Sequence, residues 1–415
     1  MVSICMYFQV HQPFRLNNYT VFDIGNNSQY YDAKRNEEIC KKIAKKCYLP
    51  TNKILLEIIK QTNFKLKIAF SISGVALEQF ALYTPEVIKT FKELAASGCV
   101  EFLSETYYHS FVFLHSKEEF LEQIKLHQKI IKKHFNQEPK VFRNTELIFN
   151  NDLARFIALA GYKGILAEGT DTLLEGKSAN VLYEIADNNS ITANQQLKIL
   201  SKNNKLSDDI AFRFSNKHWE EWPLTAEKYA HWINSSQGDT INLFMDYETF
   251  GEHQWEDSGI FDFLRAFPEE ILKNKNNHFL FPSEIIQKYN PKGTINKDHF
   301  ISWNDIEQDL SPWLGNKMQQ TAFEELDLLG IMIKKTNDSQ LIEDWRKLQS
   351  SDHLYYMCTE WTAEREVHKY FNPYGSPYDA FIIVMNIMKD MRLRVQNNQE
   401  EKIKQQLLTK KQIII

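Results

Sequence analysis

The chain has 415 residues and a formal net charge of −5, and 43% of its residues are hydrophobic. A chain of this size and composition can bury a core of its own, and its mild acidic excess argues against the broad basic face that nucleic-acid binding needs. Its five cysteines are odd in number and scattered, so we predict thiols without a disulfide framework or a thiolate zinc site.

The N-terminal segment is predicted to be a strand and not an export signal. Ser3–Val10 is apolar and leads directly into His11-Gln12-Pro13, without a basic region or a small-residue cleavage site. No apolar run approaches the roughly 18 residues that a membrane helix needs. We therefore predict a cytoplasmic protein without a membrane segment.

Short apolar segments alternate with helical ones from the N-terminus to Ala167. Such alternation implies right-handed crossovers and a mostly parallel sheet, and the number of repeats favours a closed barrel over an open doubly wound sheet. The further predicted strands are Leu66–Ile72, Val100–Ser104, Lys140–Asn144 and Gly164–Ala167. The predicted helices are Glu37–Lys60 with a break at Pro50, Pro85–Ala96, Lys117–Phe135 and Asp152–Ala160.

The remainder of the chain is less regular. Strands are predicted at Leu197–Leu200, Ile210–Phe214 and Thr240–Met245. Beyond about residue 270 the periodicity becomes helical. We therefore predict an α/β barrel domain over residues 1–270 and a helical domain over residues 271–415. The predicted helices of the second domain are Ser311–Lys334, Ser339–Asp352 and Ser376–Asn397, followed by a charged tail.

Polar clusters follow five of the predicted strands, where a parallel barrel places its catalytic side chains. Carboxylates are frequent in these clusters, and cleavage of a glycosidic bond needs one protonated and one ionised carboxyl group. Arg143 would favour ionised Glu146, whereas the charge of Glu248 would raise the proton affinity of Asp246. The clusters are His11–Pro13, Gly74–Glu78, Glu105–His109, Arg143–Glu146 and Asp246–His253.

Five motifs in these clusters and in the helical region resemble those of glycoside hydrolase family 57, the α-amylase and 4-α-glucanotransferase family. They occur in the family's order over nearly the whole chain, although Phe14 departs from the polar residue that many members carry there. A further stretch, Ser302–Glu307 with Trp313–Asn316, is similar to the α-amylase-like members. The five motifs are Val10–Pro13, Ser73–Glu78, Asn144–Phe149, Met245–His253 and Ser350–Met357.

The resemblance implies an incomplete (β/α)7 barrel and a C-terminal helical region that contributes to the active-site cleft. It also implies a retaining mechanism on an α-glucan or maltooligosaccharide, with no metal or organic cofactor. Glu146 would be the nucleophile and Asp246 the acid/base. The residues that would bind the hydroxyl groups of the reacting glucose are His11, Glu78, Glu248 and Asp352, and those that would line the pocket are His253 and Tyr355.

Structural interpretations of single residues remain open. His11 is also consistent with a bond to a backbone carbonyl, Glu78 with an ordinary charge near a helix start, and Asp352 with a helix cap. Trp303 and Trp313 are expected in the core, because buried packing is the commoner use of tryptophan.

Three other functions remain open beside α-amylase-like hydrolysis of α-1,4 bonds. A 4-α-glucanotransferase or branching enzyme would use the same residues, with a sugar in place of water as the acceptor. A metal-dependent polysaccharide deacetylase would need an aspartate and two histidines as ligands, and no His-x-x-x-His pair follows a predicted strand. A non-catalytic glucan-binding protein would hold a maltooligosaccharide without turnover.

Overall fold

The computed structural model describes residues 2–186, 196–303, 308–359 and 372–413, without the side chains of 399–413. The chain forms two compact units whose segments interleave. The first comprises Met1–Gln12, Glu37–Tyr107 and Phe120–Asp309, and the second comprises Pro13–Asn36, Tyr108–Glu119 and Leu310–Ile415. The predicted domains over residues 1–270 and 271–415 stay a prediction.

The first unit contains the strands. Most are completely buried, because each is a short apolar run with covered faces. Their bounds are β1 Ser3–Val10, β2 Ile68–Ile72, β3 Val100–Phe102, β4 Val141–Arg143, β5 Gly164–Ala167, β6 Leu182–Ile185, β7 Lys198–Ser201, β8 Thr240–Asp246, β9 His278–Phe279 and β10 Thr294–Ile295.

Helices connect the strands and make up most of the second unit. In the part of the chain that the structure describes, none of them is long and apolar enough to cross a bilayer. The helices are α1 Ala33–Ile43, α2 Leu49–Gln61, α3 Gly74–Tyr83, α4 Pro85–Ala96, α5 Lys117–Phe135, α6 Asn151–Leu159, α7 Asp171–Leu174, α8 Asn204–Ala211, α9 Ala226–Ser235, α10 Ile260–Lys273, α11 Pro282–Lys288, α12 Ser311–Leu314, α13 Lys317–Lys334, α14 Ser339–Leu348, α15 Ser351–Tyr355 and α16 Pro377–Ile413.

Seven strands run parallel in the order β8-β1-β2-β3-β4-β5-β7. Ladders join β8, β1, β2 and β3, and a second set joins β4, β5 and β7. Ser104 connects the two sets, because its N–H donates to Val141 (3.0 Å) and its carbonyl accepts from the Arg143 N–H (2.8 Å). The C-terminal ends of all seven strands therefore lie on the same edge.

The barrel is incomplete between β7 and β8. In the described ranges no ladder joins these two strands. Two other hydrogen bonds span the gap: Asn242 donates through Nδ2 to the Ser201 carbonyl (2.8 Å), and the Asn203 N–H donates to the Asn242 carbonyl (2.8 Å). The closed barrel predicted from the alternation is therefore wrong, and the incomplete (β/α)7 barrel is confirmed.

An apolar layer fills the interior of the first unit. Its members come from the inward-facing positions of successive strands, since side chains alternate between the two faces of a strand. They form one buried cluster in which each residue is at most 6% exposed. We call seven members of this cluster the apolar layer, one from each of the seven parallel strands or from the position directly after it: Tyr7, Ala69, Leu103, Val141, Leu166, Leu200 and Phe244.

Several local predictions differ from the structure. Two predicted helices are interrupted, Ser311–Lys334 at residues 315–316 and Ser339–Asp352 at residues 349–350. Ile210–Phe214 is not a strand, since helix α8 extends to Ala211. Leu206 and Ile210 lie four residues apart and face inward together, and Asn203 caps the helix by accepting from the Leu206 N–H (3.0 Å). The break predicted at Pro50 lies earlier, as a π-helical turn over Ala44–Tyr48.

A buried ion cluster fastens helices of the second unit. Glu119 accepts from Arg346 Nε (2.7 Å) and Nη2 (3.0 Å), and its carboxylate also contacts Lys334 Nζ at 2.6 Å. Burial acts to raise the pKa of Glu119, but the hydrogen bonds from Arg346 and Lys334 outweigh burial and the net shift is downward. We call these three residues the Glu119 cluster.

Candidate active site

A layer of polar side chains lies directly beyond the apolar layer, toward the C-terminal ends of the strands. Each member follows a member of the apolar layer by two residues, so both point inward. Acidic and basic residues alternate through part of this layer, and most of its members are buried. We call it the polar ring, and its members are Gln9, Ser71, Glu105, Arg143, Glu168, Lys202 and Asp246.

Glu146 lies in the loop that leaves β4 and has an unusual backbone. Glu146 (φ 54°, ψ 26°) and Leu147 (φ 51°) both adopt the left-handed conformation. This region is unfavourable for residues with a Cβ, and such strain persists where the surroundings enforce it, often at functional sites. The Glu146 side chain is half-buried.

Trp303 positions the carboxylate of Glu146. The indole Nε1 donates to Glu146 Oε2 at 2.8 Å, and Ser302 Oγ donates to the Glu146 carbonyl at 3.1 Å. A two-bond bridge between Phe149 and Ile301 holds this segment in place (both 3.0 Å). Trp303 packs against the core cluster but is only partly buried, so the prediction that it lies in the core holds only in part. Trp313, by contrast, is 1% exposed, which confirms its prediction.

Asp246 is the last residue of β8 and its side chain is exposed. It pairs in register with Gln9 of β1. Asp246 lines a cavity of about 50 Å³ in the first unit. Besides Asp246, the polar side chains that line this cavity are Tyr7, Gln9, Arg143, Glu168, Lys202, Thr249, His253 and Trp303.

Glu248 lies two residues after Asp246 and is buried. Its Oε1 accepts from Gln12 Nε2 at 3.2 Å and from the hydroxyl of Tyr48. Burial, followed by the charge of Asp246, raises the pKa of Glu248 to about 8. From the sequence we expect the charge of Glu248 to act on Asp246. In the structure Glu248 is the buried member of the pair and the charge of Asp246 acts on it, a difference in burial that adjacent sequence positions do not reveal.

The loop after Asp246 is tied to the turn that precedes α2. Gly251 has φ +109°, and a Cβ there would lie 2.1 Å from the Lys46 carbonyl oxygen, so only glycine fits. Glu252 is buried and its Oε1 lies 2.7 Å from Lys42 Nζ. The motif around Asp246 therefore includes residues that fix the loop as well as residues that face the cavity.

His11 and Glu78 both contact neighbouring polar groups. His11 Nδ1 lies 2.7 Å from Ser73 Oγ, the residue that caps α3. Glu78, in the second turn of α3, accepts from the Tyr107 hydroxyl at 2.7 Å. These contacts show how the two side chains are held, and their predicted binding of sugar hydroxyls stays a prediction.

The remaining predicted site residues lie in different parts of the chain. His253 lines the cavity with Asp246, and its N–H donates to the Glu248 carbonyl at 2.9 Å. Asp352 and Tyr355 belong to α15 in the second unit, where Asp352 Oδ2 accepts from Ser350 Oγ at 2.7 Å. Their sugar contacts stay predictions, and residues 304–307 of the α-amylase-like stretch lie outside the described residues.

The geometry of strand ends and carboxylates agrees with a direct comparison of sequences. The family model for Glycosyl hydrolase family 57 matches residues 5–298, a range that includes both Glu146 and Asp246. The chain belongs to glycosyl hydrolase family 57. It is therefore an enzyme of a glycoside hydrolase or glucanotransferase type, and the predicted family is confirmed.

This family 57 chain has a curated relative that covers most of its length. It is 42% identical over 396 residues to a protein of Methanocaldococcus jannaschii named "Putative alpha-amylase", with 92% of this chain and 82% of that protein aligned.

Solved structures show the same fold. The 4-alpha-glucanotransferase from Thermococcus litoralis aligns with a TM-score of 0.66 at 18% identity, and the alignment covers 94% of this chain and 60% of that one. A branching enzyme of family 57 from Thermococcus kodakaraensis aligns with a TM-score of 0.65 at 13% identity, covering 95% and 90% of the two chains. At these identities the likeness concerns the fold.

Proposed function

We propose that this enzyme is a retaining glycoside hydrolase that cleaves α-1,4-glucosidic bonds of α-glucans and maltooligosaccharides. One observation carries the proposal: Glu146 follows β4 and Asp246 ends β8 at the same edge of the barrel, and Trp303 connects Glu146 with the cavity that Asp246 lines. The indole of Trp303 holds the carboxylate of Glu146 and lines the same cavity as Asp246. Glycosidic cleavage needs two carboxyl groups that flank the scissile bond, and Trp303 is the residue that links Glu146 to the cavity lined by Asp246.

Glu146 is the proposed nucleophile. Its carboxylate attacks the anomeric carbon and forms a covalent glycosyl-enzyme, which water later hydrolyses with net retention of configuration. The N–H of Trp303 favours the ionised carboxylate and fixes its orientation. The left-handed backbone at Glu146 and Leu147 presents the side chain in a conformation that a regular helix or strand would not allow.

Asp246 is the proposed acid/base. It protonates the departing glucosidic oxygen and then removes a proton from the incoming water. Its exposed position at the end of β8 gives the leaving group and the water access to it.

Other residues are proposed to bind the substrate. Glu248 would be largely neutral near pH 7, since its pKa is raised to about 8, and so can donate a hydrogen bond to a sugar hydroxyl. The further residues proposed to bind hydroxyl groups are His11, Glu78 and Asp352, and those proposed for the pocket wall are His253 and Tyr355. The five cysteines are buried as thiols, which suits a reducing cytoplasm.

Replacement of the nucleophile tests the proposal. We expect Glu146→Gln to lower kcat on maltotetraose by about 1,000-fold or more, because the amide of glutamine cannot attack the anomeric carbon to form the covalent intermediate. The matched control is Glu175→Gln, an exposed carboxylate that pairs with Lys297, which should stay within a few-fold of wild type. Unchanged thermal unfolding would show that Glu146→Gln folds, and near-normal activity of that variant would reject the proposal.

Covalent trapping tests the retaining mechanism directly. A 5-fluoro-α-glucosyl fluoride should label the enzyme, and peptide mass analysis should place the label on Glu146. Asp246→Asn should impair substrates with good leaving groups less than natural glucans, because good leaving groups need little protonation. A first-formed product of inverted configuration, read by NMR, would contradict the mechanism.

Transfer is the alternative with the same residues. Two of the family 57 structures similar to this chain are named as a 4-alpha-glucanotransferase and a branching enzyme. Incubation with maltotetraose followed by sizing of the products distinguishes the functions. Only shorter products indicate hydrolysis, longer linear products indicate 4-α-glucanotransfer, and new α-1,6 branches in a longer glucan indicate branching.

A further inference from the structure

Four polar atoms, from three side chains that line the cavity with Asp246, have no hydrogen-bond partner within the described residues. They are Nε and Nη1 of Arg143, Oε2 of Glu168 and Oγ1 of Thr249. The three residues are buried, at 4%, 1% and 0% exposure. A buried polar group without a partner costs free energy, so a cluster of them in one cavity points to a ligand that supplies the missing bonds.

Glu168 is fixed in place by its other oxygen. Lys202 Nζ lies 3.2 Å from Glu168 Oε1 and 3.1 Å from Asp208 Oδ1, so the ammonium holds the carboxylate from one side. The backbone is fixed as well, because the Lys202 N–H donates to the Ala167 carbonyl at 3.0 Å. A Cβ on Gly169 would lie 1.8 Å from the Lys202 carbonyl oxygen, so glycine permits this close approach of the two strand ends.

Arg143 is the member of the polar ring on β4, the strand next to β5. Arg143 pairs in register with Leu166 of β5, two residues before Glu168. The order β4-β5-β7 therefore places a cation, an anion and a second cation side by side. Lys202 pairs with two carboxylates, whereas Nε and Nη1 of Arg143 have no hydrogen-bond acceptor among the described residues.

We propose that Arg143 and Glu168 form a subsite at the base of the cavity that binds one hydroxyl group of the reacting glucan. The proposal rests on the proposed function and assigns two specificity-determining residues to it. A hydroxyl both donates and accepts, so it can donate to Glu168 Oε2 and accept from Arg143. The opposite charges of the pair, with Asp246 nearby, favour a neutral hydroxyl over a phosphate or carboxylate.

Such a subsite makes one hydroxyl of the substrate indispensable. A site built to hydrogen-bond a hydroxyl discriminates strongly against an analogue that lacks it, by up to about 10⁴-fold, because its own polar groups then stay buried and unpaired. One monodeoxy analogue of the reacting glucose should therefore be far poorer than those that lack hydroxyls bound by exposed residues.

The experiment combines a deletion in the enzyme with a deletion in the substrate. We measure kcat/KM of wild type, Arg143→Met and Glu168→Gln on maltotetraose and on maltotetraoses that each lack one hydroxyl of the reacting glucose. Arg143→Met should have a kcat/KM on maltotetraose about 100-fold below that of wild type. On the one analogue that wild type already handles poorly, the kcat/KM of Arg143→Met should be almost the same as that of wild type. The same loss on every substrate would overturn the subsite.

Thermal unfolding separates binding from a structural role. Methionine keeps the apolar stem of Arg143 and removes buried donors without partners, so Arg143→Met should keep or raise the Tm. A lowered Tm together with a uniform loss of activity would overturn the proposal. Arg265→Met is the matched control, since Arg265 is exposed and pairs with Asp262 on α10, and it should change neither quantity.

The two proposals fail in different ways. A wild-type enzyme that cleaves or transfers no α-glucan would overturn the proposed function and the subsite with it. An active wild type whose Arg143→Met variant loses the same factor on all analogues would overturn the subsite alone. Arg143→Lys supplies a further readout. If residue 143 donates to a hydroxyl, the kcat/KM of Arg143→Lys on maltotetraose should lie between those of Arg143→Met and wild type. On the analogue that wild type handles poorly, Arg143→Lys and Arg143→Met should be alike.

Discussion

Two buried groups of charges, one in each compact unit, differ in how completely they are paired. In the Glu119 cluster of the second unit, the carboxylate accepts two hydrogen bonds from Arg346 and contacts Lys334. In the polar ring of the first unit, Arg143 and Glu168 retain atoms without a partner among the described residues. Glu119, Arg143 and Glu168 are all buried, so the difference between them is one of pairing and not of burial.

The comparison separates two uses of buried charge. A buried carboxylate that is completely paired fastens helices, and removal of one partner leaves an uncompensated charge. A buried charge that is incompletely paired contributes less to stability, but offers fixed hydrogen-bond donors and acceptors to a substrate. We therefore expect substitutions in the Glu119 cluster to affect folding, and those in the polar ring to affect catalysis.

The largest expected effect on stability is that of Glu119→Gln. The substitution removes the buried negative charge that Arg346 and Lys334 both contact, so the free energy of unfolding should fall by about 3–5 kcal/mol. Denaturant unfolding of the purified protein measures the change. Glu118→Gln, at the exposed neighbouring position, is the control and should leave stability unchanged. A small effect of Glu119→Gln would remove the distinction between the two groups of charges.

Glu248→Gln tests, through pH, a third buried carboxyl group that lies two residues beyond the polar ring member Asp246. The folded pKa of Glu248 is about 8, above its ordinary value of 4.5. The folded state therefore holds a proton that the unfolded state releases between these values, and the stability from Glu248 is complete below pH 4.5 and lost as pH rises through 8. Since a pKa difference of one corresponds to about 1.4 kcal/mol, the variant should be more stable than wild type at pH 9 by a few kcal/mol.

The measurement is the difference in unfolding free energy between Glu248→Gln and wild type across pH 5 to 9. The pH dependence from Glu119 should have the opposite sign and lie below this window, because its pKa is lowered and its stabilisation is lost only as pH falls below the ordinary range for glutamate. Parallel pH profiles for wild type and Glu248→Gln would contradict the assignment of a retained proton to Glu248.

The smallest expected effects concern two helix caps that lie outside both groups of buried charge. Asn150 caps α6 in the first unit by accepting from the Leu153 N–H (2.8 Å), and Asp338 caps α14 in the second by accepting from the Leu341 N–H (3.1 Å). Replacement of either by alanine should cost about 1 kcal/mol, as measured by thermal unfolding. Similar costs in both units would show that the contrast concerns buried charge and not a general difference in rigidity.

Elements with strong local signals were predictable from the sequence. Pro85–Ala96 begins with a proline at its first turn and is followed by Gly98, and its bounds were predicted correctly. Ser3–Val10 and Gly164–Ala167 were also predicted correctly, because short apolar runs with polar neighbours favour buried strands. Strands such as β9 and β10 have two residues each, which is too short for a periodic pattern.

The site was only partly predictable. Glu146 and Asp246 follow strands directly, so their placement at the barrel edge could be expected from local sequence. The hydrogen bond from Trp303 to Glu146 joins residues 157 positions apart and depends on the Phe149–Ile301 bridge. Neither the bond nor the bridge can be predicted from a local sequence pattern. Glu168 and Lys202 did carry a signal: each follows an inward leucine by two positions, at the ends of strands that had been predicted.

The spacing between the apolar layer and the polar ring has a consequence for how this enzyme can diverge. On all seven strands the two inward positions are separated by a single outward residue. An insertion or deletion of one residue between them would turn the polar side chain outward and bring its neighbour inside. Loops beyond the polar ring can therefore lengthen or shorten and alter which glucans are accepted. The last residues of every strand, between the apolar layer and the polar ring, must keep their number.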